Sequence, residues 1–276
     1  MSMNMPPHEL IRTFRSFTYS GDTFSSETSN LLVESPLELI INHEKHILIM
    51  FTPEMTRELV IGFMYTEGFI SNISEIEECV ISPVQKEDGG QVIEARVSIS
   101  WQDQDPLSDK SGKRISYSSC GICGKENYYD LHRGLNRVKS RQRFSMNVLK
   151  GFPNRLKSLQ PLYKKTGGAH AAILFDSTGK SILKCEDMGR HNALDKVVGS
   201  TLIREIFPKD KILVSSGRAS LEMILKTARI GFPVFVAMSR PTSRAVEAAK
   251  FYNITLIDMA QRSNRIYSHV RRIEGF

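Results

Sequence analysis

Short apolar runs alternate with helical stripes through the second half of the 276-residue chain. The runs Ile212–Val214, Val234–Ala237 and Ile254–Ile257 are separated by segments whose apolar residues recur at helical spacing. Strands that alternate with helices in this way pair in parallel, in a sheet that helices cover. The order of elements therefore predicts an α/β fold, in which Gly231 ends the helix that starts near Leu221.

Two hairpins are predicted before this region. The residues Asp176–Gly179 are typical of a turn, and they separate the apolar runs Ala171–Phe175 and Ser181–Cys185. Nearer the start of the chain, Leu37–Ile41 and Ile47–Phe51 flank a polar stretch in the same way. Both pairs are therefore expected to form adjacent antiparallel strands.

The remaining elements of the first half follow from local signals. Thr52-Pro53 has the form of a helix start, and the apolar stripe after it predicts a helix that ends near Gly68. Strict alternation from Ile93 to Ile99 predicts a half-buried strand. A helix is predicted from Asn127 to about Lys139, and a linker over residues 141–151.

These elements divide the chain into three predicted parts. Residues 1–30 are rich in Ser, Thr and Pro without a steady period, which indicates a loosely ordered N-terminal lead-in. Residues 31–145 would form a smaller α+β domain that ends with a pair of cysteines and the helix after them. Residues 146–276 would form the α/β domain.

Charge and composition limit the classes of function. A formal charge of +7 and a pI near 9.2 suggest an anionic partner, although a basic protein without a specific anionic ligand fits equally. No apolar run reaches the roughly 18 residues of a transmembrane helix, and the first ten residues lack the pattern of a signal peptide. We therefore expect a cytoplasmic protein that does not bind membranes, with its four cysteines reduced. The charge alone does not separate a nucleic acid from a nucleotide or a phosphorylated cofactor as the anionic partner.

Cys120 and Cys123 lie in the stretch Ser118–Lys125, which reads SSCGICGK. The spacing brings two sulfurs together for metal binding, dithiol exchange or thiol transfer. Gly121 and Gly124 favour a loop, and Lys125 favours a thiolate. A structural zinc site would need more ligands than this pair, and Cys79 and Cys185 stand alone in apolar segments. The segment therefore predicts a reactive thiol, with zinc and a thioredoxin-type pair as alternatives.

Two segments resemble anion sites, since each joins a predicted strand to a predicted helix. The first contains Ser216, Gly217 and Arg218, and the second contains Ser239, Arg240 and Thr242. Free N–H groups at a helix start stabilise negative charge, and neighbouring units place these starts at one edge of the sheet. A diphosphate ligand would fit there. The alternative is that Ser220, Ser239 and Thr242 only cap helices.

A third polar segment, Asp187–Lys196, contains Arg190, His191 and Asn192, which could contact a ligand or a catalytic thiol. Upstream, Thr166–His170 places a histidine behind two glycines. Each histidine also fits a purely structural role.

Five motifs in this order resemble the formate dehydrogenase accessory sulfurtransferase family, FdhD. The resemblance runs from about Pro36 almost to the C-terminus. The motifs are Ser118–Gly124, Thr166–His170, Glu186–Lys196, Ser215–Arg218 and Ser239–Ser243.

The resemblance implies both a fold and an activity. The fold would be a cytidine deaminase-like α/β/α C-terminal domain with a smaller α+β N-terminal domain. The protein would be a sulfur carrier that accepts persulfide sulfur from a cysteine desulfurase and transfers it to the molybdenum cofactor of formate dehydrogenase, bis(molybdopterin guanine dinucleotide). By position, Cys120 matches the cysteine that carries the persulfide, and Cys123 matches its partner. The family also implies binding of a guanine nucleotide such as GDP, and a homodimer. The phosphates of the cofactor would account for the basic charge, so the resemblance implies no nucleic-acid partner.

The family's late cofactor-binding stretch is usually an aromatic residue followed by arginine and glycine. Here that region departs from the pattern, so the segment as a whole is predicted to bind the cofactor. Its residues are Met259, Ala260, Gln261, Arg262, Ser263 and Asn264. Arg265 adds positive charge, whereas Arg271 and Arg272 are interpreted as a solvated tail.

Two other functions remain open from the residues. A zinc-dependent deaminase-like hydrolase would share the fold, but zinc deaminases carry His-x-Glu and Pro-Cys-x-x-Cys, and this chain has neither. We therefore expect no metal site. A non-enzymatic chaperone that holds the cofactor would need the anion sites but not the thiols.

Overall fold

Two mixed sheets and one hairpin contain the strands of the described chain. The computed structural model describes residues 9–87, 89–100, 132–260 and 264–276. Of the helices in these ranges, none has the length and apolar character to cross a membrane.

The larger sheet lies in the second half of the chain and has the strand order β12-β11-β10-β9-β7-β8. Strands β9, β10 and β11 are parallel, as the alternation of strands and helices predicts. Strands β7 and β8 form the predicted hairpin, and β7 also pairs antiparallel with β9. The strands are β7 (His170–Phe175), β8 (Ser181–Asp187), β9 (Ile212–Arg218), β10 (Val234–Ser239), β11 (Thr255–Asp258) and β12 (Arg265–Ile266).

Helices cover both faces of this sheet. Residues alternate along a strand, so Ala172 and Leu174 face one helical layer while Ala171 and Ile173 belong to a separate core on the other face. The first layer contains α5 (Arg190–Ile203), α6 (Leu221–Ile230) and α7 (Ser243–Phe251). The second contains α2 (Met146–Lys150) and α3 (Phe152–Ser158), and α4 (Pro161–Thr166) leads into β7. This is an α/β/α arrangement. Its closer likeness to cytidine deaminases stays a prediction, as does the division at residues 30 and 145.

The smaller sheet has the order β4-β3-β6-β5, and α1 (Thr56–Glu67) packs on it. The predicted hairpin of β3 and β4 and the predicted alternating strand β6 are confirmed. The strands are β3 (Ser35–Ile41), β4 (Lys45–Phe51), β5 (Ile76–Gln85) and β6 (Gln91–Ile99).

The start predicted for α1 at Thr52-Pro53 is wrong, although its end at Gly68 is confirmed. The helix begins at Thr56, after Met55 in a left-handed conformation with φ 56°. Thr52 is fully buried, and its backbone N–H donates to Asp187 Oδ2 at 3.1 Å. A long-range contact thus uses the residue that local sequence assigns to a cap.

Helices α1 and α5 join the two sheets through a glycine crossing. A Cβ atom on Gly62 would lie 1.8 Å from the carbonyl oxygen of Asp195, and one on Gly199 would lie 1.9 Å from that of Glu58. The two backbones therefore touch directly, and neither position has room for a side chain.

The prediction of a loosely ordered lead-in over residues 1–30 is wrong for residues 11–30, which belong to a hairpin of β1 (Ile11–Ser20) and β2 (Thr23–Leu32). Its turn residues Gly21 and Asp22 have φ values of 57° and 65°, the signs that a tight hairpin requires. Polar side chains pair across the strands, including Thr18 with Ser25 at 2.7 Å between hydroxyl oxygens. The ribbon is mostly exposed, so it lacks the apolar alternation on which strand prediction relies.

The helix predicted over residues 127–139 is wrong for its described part, because residues 135–140 are irregular chain after a short turn. This segment is held by Tyr252: Val138 N–H donates to the Tyr252 carbonyl at 2.9 Å, and His132 Nδ1 lies 2.6 Å from the Tyr252 hydroxyl. The linker predicted over 141–151 contains α2, and before it Phe144 bridges to Ile273.

Candidate functional site

The carboxyl edge of the larger sheet gathers several of the predicted site motifs. The parallel strands β9, β10 and β11 end there at Arg218, Ser239 and Asp258. Because β7 runs antiparallel to β9, its first residue, His170, lies at this same edge. His170 pairs in turn with Asp187, the last residue of β8. Ligands of open α/β sheets bind at such an edge, so we describe it as the candidate site.

His170 and Ser216 are in contact at this edge. The His170 Nδ1 atom lies 3.1 Å from the Ser216 hydroxyl oxygen, which also accepts the backbone N–H of Ala171 at 2.9 Å. Burial lowers the pKa of His170, and the positive charge of Arg190 lowers it further, while Asp187 acts in the opposite direction. The imidazole is therefore neutral at pH 7 and can serve as a hydrogen-bond donor or acceptor.

Arg190, the first residue of α5, packs over Gly217 of β9. A Cβ atom on Gly217 would lie 2.8 Å from Arg190 Cδ, so the glycine makes room for the arginine stem. Arg190 Nε is buried and has no hydrogen-bond partner among the described residues. A guanidinium N–H that donates to none of the described residues, at the start of a 14-residue helix, favours the binding of an anion at this edge. Arg190, Ser216 and Gly217 are thus three predicted site residues that the fold brings together.

The loop before α5 is held from behind by Asp187. The Asp187 Oδ1 atom accepts the Gly189 N–H and the Asn192 side-chain amide, each at 2.9 Å. Its Oδ2 atom pairs with Lys196 Nζ at 2.7 Å, and both side chains are 0% exposed. Lys196 also donates to the carbonyl of Thr52 at 3.0 Å. These polar residues of the motif position the loop instead of facing a ligand.

His191 is predicted to bind the cofactor, but its ring is buried beside α6. Its Nε2 atom lies 3.2 Å from a Glu222 carboxylate oxygen, and the imidazole is 5% exposed. Lys226 lies beside the same carboxylate and pairs with Asp195 at 2.6 Å. Burial opposes the charge of Lys226, but the surrounding carboxylates raise its pKa, so it stays protonated. The structure gives His191 a place in the contact between α5 and α6, and its binding role stays a prediction.

The second predicted anion segment also lies at the carboxyl edge. Ser239 of β10 pairs in register with Arg218 of β9, and Arg240 is exposed just beyond. The Thr242 hydroxyl accepts the Ala245 N–H at 3.2 Å as the N-cap of α7, and Ser220 caps α6 in the same manner. Capping therefore explains Ser220 and Thr242, whereas Arg218 and Arg240 remain exposed positive charges.

The late segment 259–264 follows β11 at the same edge. Met259 is 4% exposed and belongs to the core beneath the sheet, so its side chain packs rather than faces solvent. The Ala260 N–H donates to Asp258 Oδ1 at 2.6 Å, and Asn264 is exposed. Gln261, Arg262 and Ser263 lie outside the described residues.

Cys120 and Cys123 also lie outside the described residues. The other two cysteines are described, and both are unsuited to nucleophilic chemistry. Burial raises the pKa of Cys79, and it raises the pKa of Cys185 to about 12. The predicted buried role of these two thiols is confirmed for Cys185, which is 1% exposed, while Cys79 is half-buried. Within the described ranges, no group of three or more His, Cys, Asp or Glu residues could hold a metal ion.

His170 is absent from the site residues predicted from the sequence, and no partner is predicted for Ser216. Their contact depends on β7 lying antiparallel beside β9, which no local pattern indicates. The glycine pair before His170 was the available signal.

The interpretation of Arg271 and Arg272 as a solvated tail is correct for the exposed Arg271 and wrong for Arg272, which is 8% exposed.

Comparisons with known proteins show the family of this chain and a similar fold. The sequence model of the FdhD/NarQ family matches residues 32–274. A protein named sulfur carrier protein FdhD from Thermoplasma acidophilum is 39% identical, over 91% of this chain and 89% of its own. A protein of the same name from Sulfurisphaera tokodaii is 35% identical, over 95% and 99% of the two chains. A crystal structure from Desulfotalea psychrophila, described as a formate dehydrogenase accessory protein, has a TM-score of 0.76 at 22% identity, covering 96% of this chain and 100% of that one.

Proposed function

The chain belongs to the FdhD/NarQ family, and we propose from this that it is a cytoplasmic sulfurtransferase that carries sulfur as a persulfide on Cys120. It would accept that sulfur from a cysteine desulfurase. It would transfer the sulfur to bis(molybdopterin guanine dinucleotide), the molybdenum cofactor destined for a formate dehydrogenase. The single observation that carries the proposal is the match over residues 32–274 to a family whose members are named sulfur carriers.

The chemistry of the four cysteines supports the choice of thiol. Only a thiolate attacks a persulfide efficiently, and with a pKa of about 12 Cys185 is ionised to roughly one part in ten thousand at pH 8. Burial also raises the pKa of Cys79. Cys120 and Cys123 are therefore the thiols left for the reaction, and Lys125 lies two residues after the second of them.

Sulfur loading would be an exchange between two thiols. The Cys120 thiolate attacks the terminal sulfur of the donor's persulfide, the donor's S–S bond breaks, and the donor cysteine leaves as a thiolate. Cys120 then holds the terminal sulfur. In the second transfer its S–S bond would break, Cys120 would leave as a thiolate, and the molybdenum substrate would accept the sulfur and supply the two electrons that reduce it to sulfide. Cys123 lies close enough in sequence to assist either step.

The carboxyl edge supplies what a diphosphate-bearing substrate needs. Arg190 has a buried donor that has no hydrogen-bond partner among the described residues, and Arg218 and Arg240 are exposed at the ends of adjacent parallel strands. Guanidinium groups bind phosphate in a bidentate manner, and the start of α5 adds its dipole. We propose that this edge, with the segment 259–264, holds a guanine nucleotide moiety of the cofactor. A homodimer would then offer two such edges, one for each nucleotide moiety.

Sulfur loading can be tested by intact mass. Incubation with a cysteine desulfurase and cysteine should add 32 Da per sulfur atom to the wild-type protein, and the adduct should disappear on reduction. We expect Cys120→Ser to abolish this adduct. Cys79→Ser is the matched control, because it also removes one thiol but should load like the wild type.

The same variants separate the alternatives. A pure cofactor chaperone would activate formate dehydrogenase as well with Ser at positions 120 and 123 as with Cys. Full activation by that double variant would therefore reject sulfur transfer in favour of the chaperone. A zinc-dependent hydrolase would instead require stoichiometric zinc in the purified protein, which metal analysis would detect.

A further inference from the structure

A cleft of about 570 Å³ opens at the edge of the larger sheet opposite the candidate site. Residues 140–143, Asn253 and residues 269–272 line it. Arg272 in the lining donates to the carbonyl of Pro233, just before β10, and to the hydroxyl of Thr255, the first residue of β11. The cleft therefore lies at the amino ends of these strands, separated from the carboxyl edge by a strand length of about 17 Å.

The lining of this cleft is strongly positive. Arg141, Arg143, Arg271 and Arg272 all contribute to it, and none of the described residues that line it is acidic. Arg141, Arg143 and Arg271 are exposed at its rim. Arg143 is also fixed in place, because its Nη2 donates to the carbonyl of Ile273 at 3.1 Å. A concave surface lined by charges of one sign raises the local concentration of the opposite ion, so this lining favours an anion.

Arg272 supplies a second, independent sign of an anionic ligand. Its side chain is buried, with the residue only 8% exposed, and its Nη1 donates to Thr255 Oγ1 at 2.8 Å and to the Pro233 carbonyl at 3.3 Å. Both acceptors are neutral, and no carboxylate of the described residues forms an ion pair with it. Burial accordingly lowers the pKa of Arg272. Buried charges in proteins are normally paired, so this cation lacks the counter-charge that such a position calls for.

We propose that this cleft is a binding site for a compact oxyanion of the phosphate class, such as a diphosphate group. A diphosphate would supply the missing counter-charge and accept several guanidinium hydrogen bonds at once. No Phe, Tyr or Trp lines the cleft within the described residues, and the Nε2 atom of its one histidine, His269, lies 2.9 Å from the carbonyl oxygen of Lys250. The guanidinium groups are therefore the main recognition elements of the cleft. The recognised group is thus the diphosphate itself, whether free or carried by a nucleotide.

Hydrogen exchange with inorganic diphosphate tests this site directly and separates it from the carboxyl edge. In the full chain, added diphosphate should slow exchange of the amides in residues 140–143 and 269–273. Protection of residues 215–218 would be assigned separately, to the candidate site. In the double variant Arg141→Gln, Arg271→Gln, the diphosphate concentration that gives half-maximal protection of the cleft should rise at least tenfold. Both arginines are exposed, so the variant should fold normally.

Lys184→Gln is the matched control, because it also removes an exposed positive charge but lies on β8, four strands away from β11. It should shift the diphosphate dependence by less than twofold. GDP should protect the same segments, whereas guanosine should not. Absence of protection by diphosphate, equal protection in the double variant, or equal protection by guanosine would each overturn the proposal.

Discussion

Asp187 and Lys196 form a buried ion pair that holds the loop carrying Arg190. Their charged atoms are 2.7 Å apart, both side chains are 0% exposed, and Lys196 also donates to the carbonyls of Thr52 and Glu186. Such a pair contributes little net stability over an apolar pair, but the loss of one partner leaves an uncompensated buried charge. Its main effect is to fix the geometry of the loop.

We therefore expect Lys196→Met to lower the free energy of unfolding by about 3 to 5 kcal/mol, because Asp187 would remain buried without a cation. Urea denaturation followed by circular dichroism measures this change. Lys184→Met removes an exposed lysine and should change stability by less than about 0.5 kcal/mol. Equal stability of the two variants would show that the ion pair of Asp187 and Lys196 does not contribute to the stability of the fold.

The pKa of His170 depends on the charge of Arg190, so its value can be used to test how these two residues interact at the candidate site. Burial and Arg190 lower this pKa below the ordinary 6.5, so the unfolded chain binds this proton at a higher pH than the folded chain. His170 therefore makes stability fall as the pH drops through about 6.5. We expect Arg190→Gln to raise the pKa of His170 in an NMR titration, with the resonance assigned by His170→Gln. Arg240→Gln, an exposed change at the same edge, should leave it unchanged. If the pKa of His170 is the same in Arg190→Gln as in the wild type, the charge of Arg190 does not act on His170 and the expectation is wrong.

At the scale of single residues, the sequence identifies candidate site residues better than it identifies the residues they contact. Arg190, Ser216 and Gly217 are singled out from the sequence, and the fold brings them together at one edge. Met259 and His191 are buried instead, since a residue's side of a strand or helix depends on neighbours far away in sequence. The same reason explains why the partner of His170 could not be predicted.

The crossing of α1 and α5 is the most demanding contact between elements. Gly62 and Gly199 bring backbone against backbone, with space for neither Cβ atom. No other residue type fits there without moving a helix, because the atoms that would clash are carbonyl groups and not flexible side chains.

Gly62→Ala should consequently lower the free energy of unfolding by about 3 kcal/mol, despite the better helix propensity of alanine. Gly168→Ala is the control, since its Cβ would meet nothing closer than 3.7 Å. Thermal unfolding of the two variants measures the difference. A Gly62→Ala variant as stable as the wild type would mean that the helices are further apart than described.

Elements with apolar periodicity are predicted well, and elements held by polar contacts are not. The strands and helices from β9 to β11 are confirmed because each buries an apolar stripe. The hairpin of β1 and β2 was missed because hydroxyl and amide pairs across an exposed ribbon leave no apolar period. Its Gly21-Asp22 turn was the available signal.

The two sheets belong to one packed body. Helix α1 packs on the smaller sheet and also crosses α5 of the larger one, and Thr66 of α1 donates to the buried Asp195 of α5 at 2.7 Å. Asp187 and Thr52 provide a second connection at the end of β4. A boundary drawn from sequence between these units therefore does not imply that they unfold separately.

We expect a single cooperative unfolding transition for both sheets. Native-state hydrogen exchange should give similar opening free energies for the slowest amides of β6 and β10, within about 1 kcal/mol. Two transitions, or a much lower value in β6, would show that the smaller sheet opens on its own.

The glycine crossing also couples the tilt of α5 to the position of its first residue, Arg190. Its fulcrum at Gly199 lies nine residues from Arg190, which is about 13.5 Å along a rigid helix. A tilt of only 5° about this point would swing the start of α5 by about 1 Å, enough to separate Arg190 from Gly217. The position of Arg190 over Gly217 therefore depends on a contact between α1 and α5 that lies about 13.5 Å away.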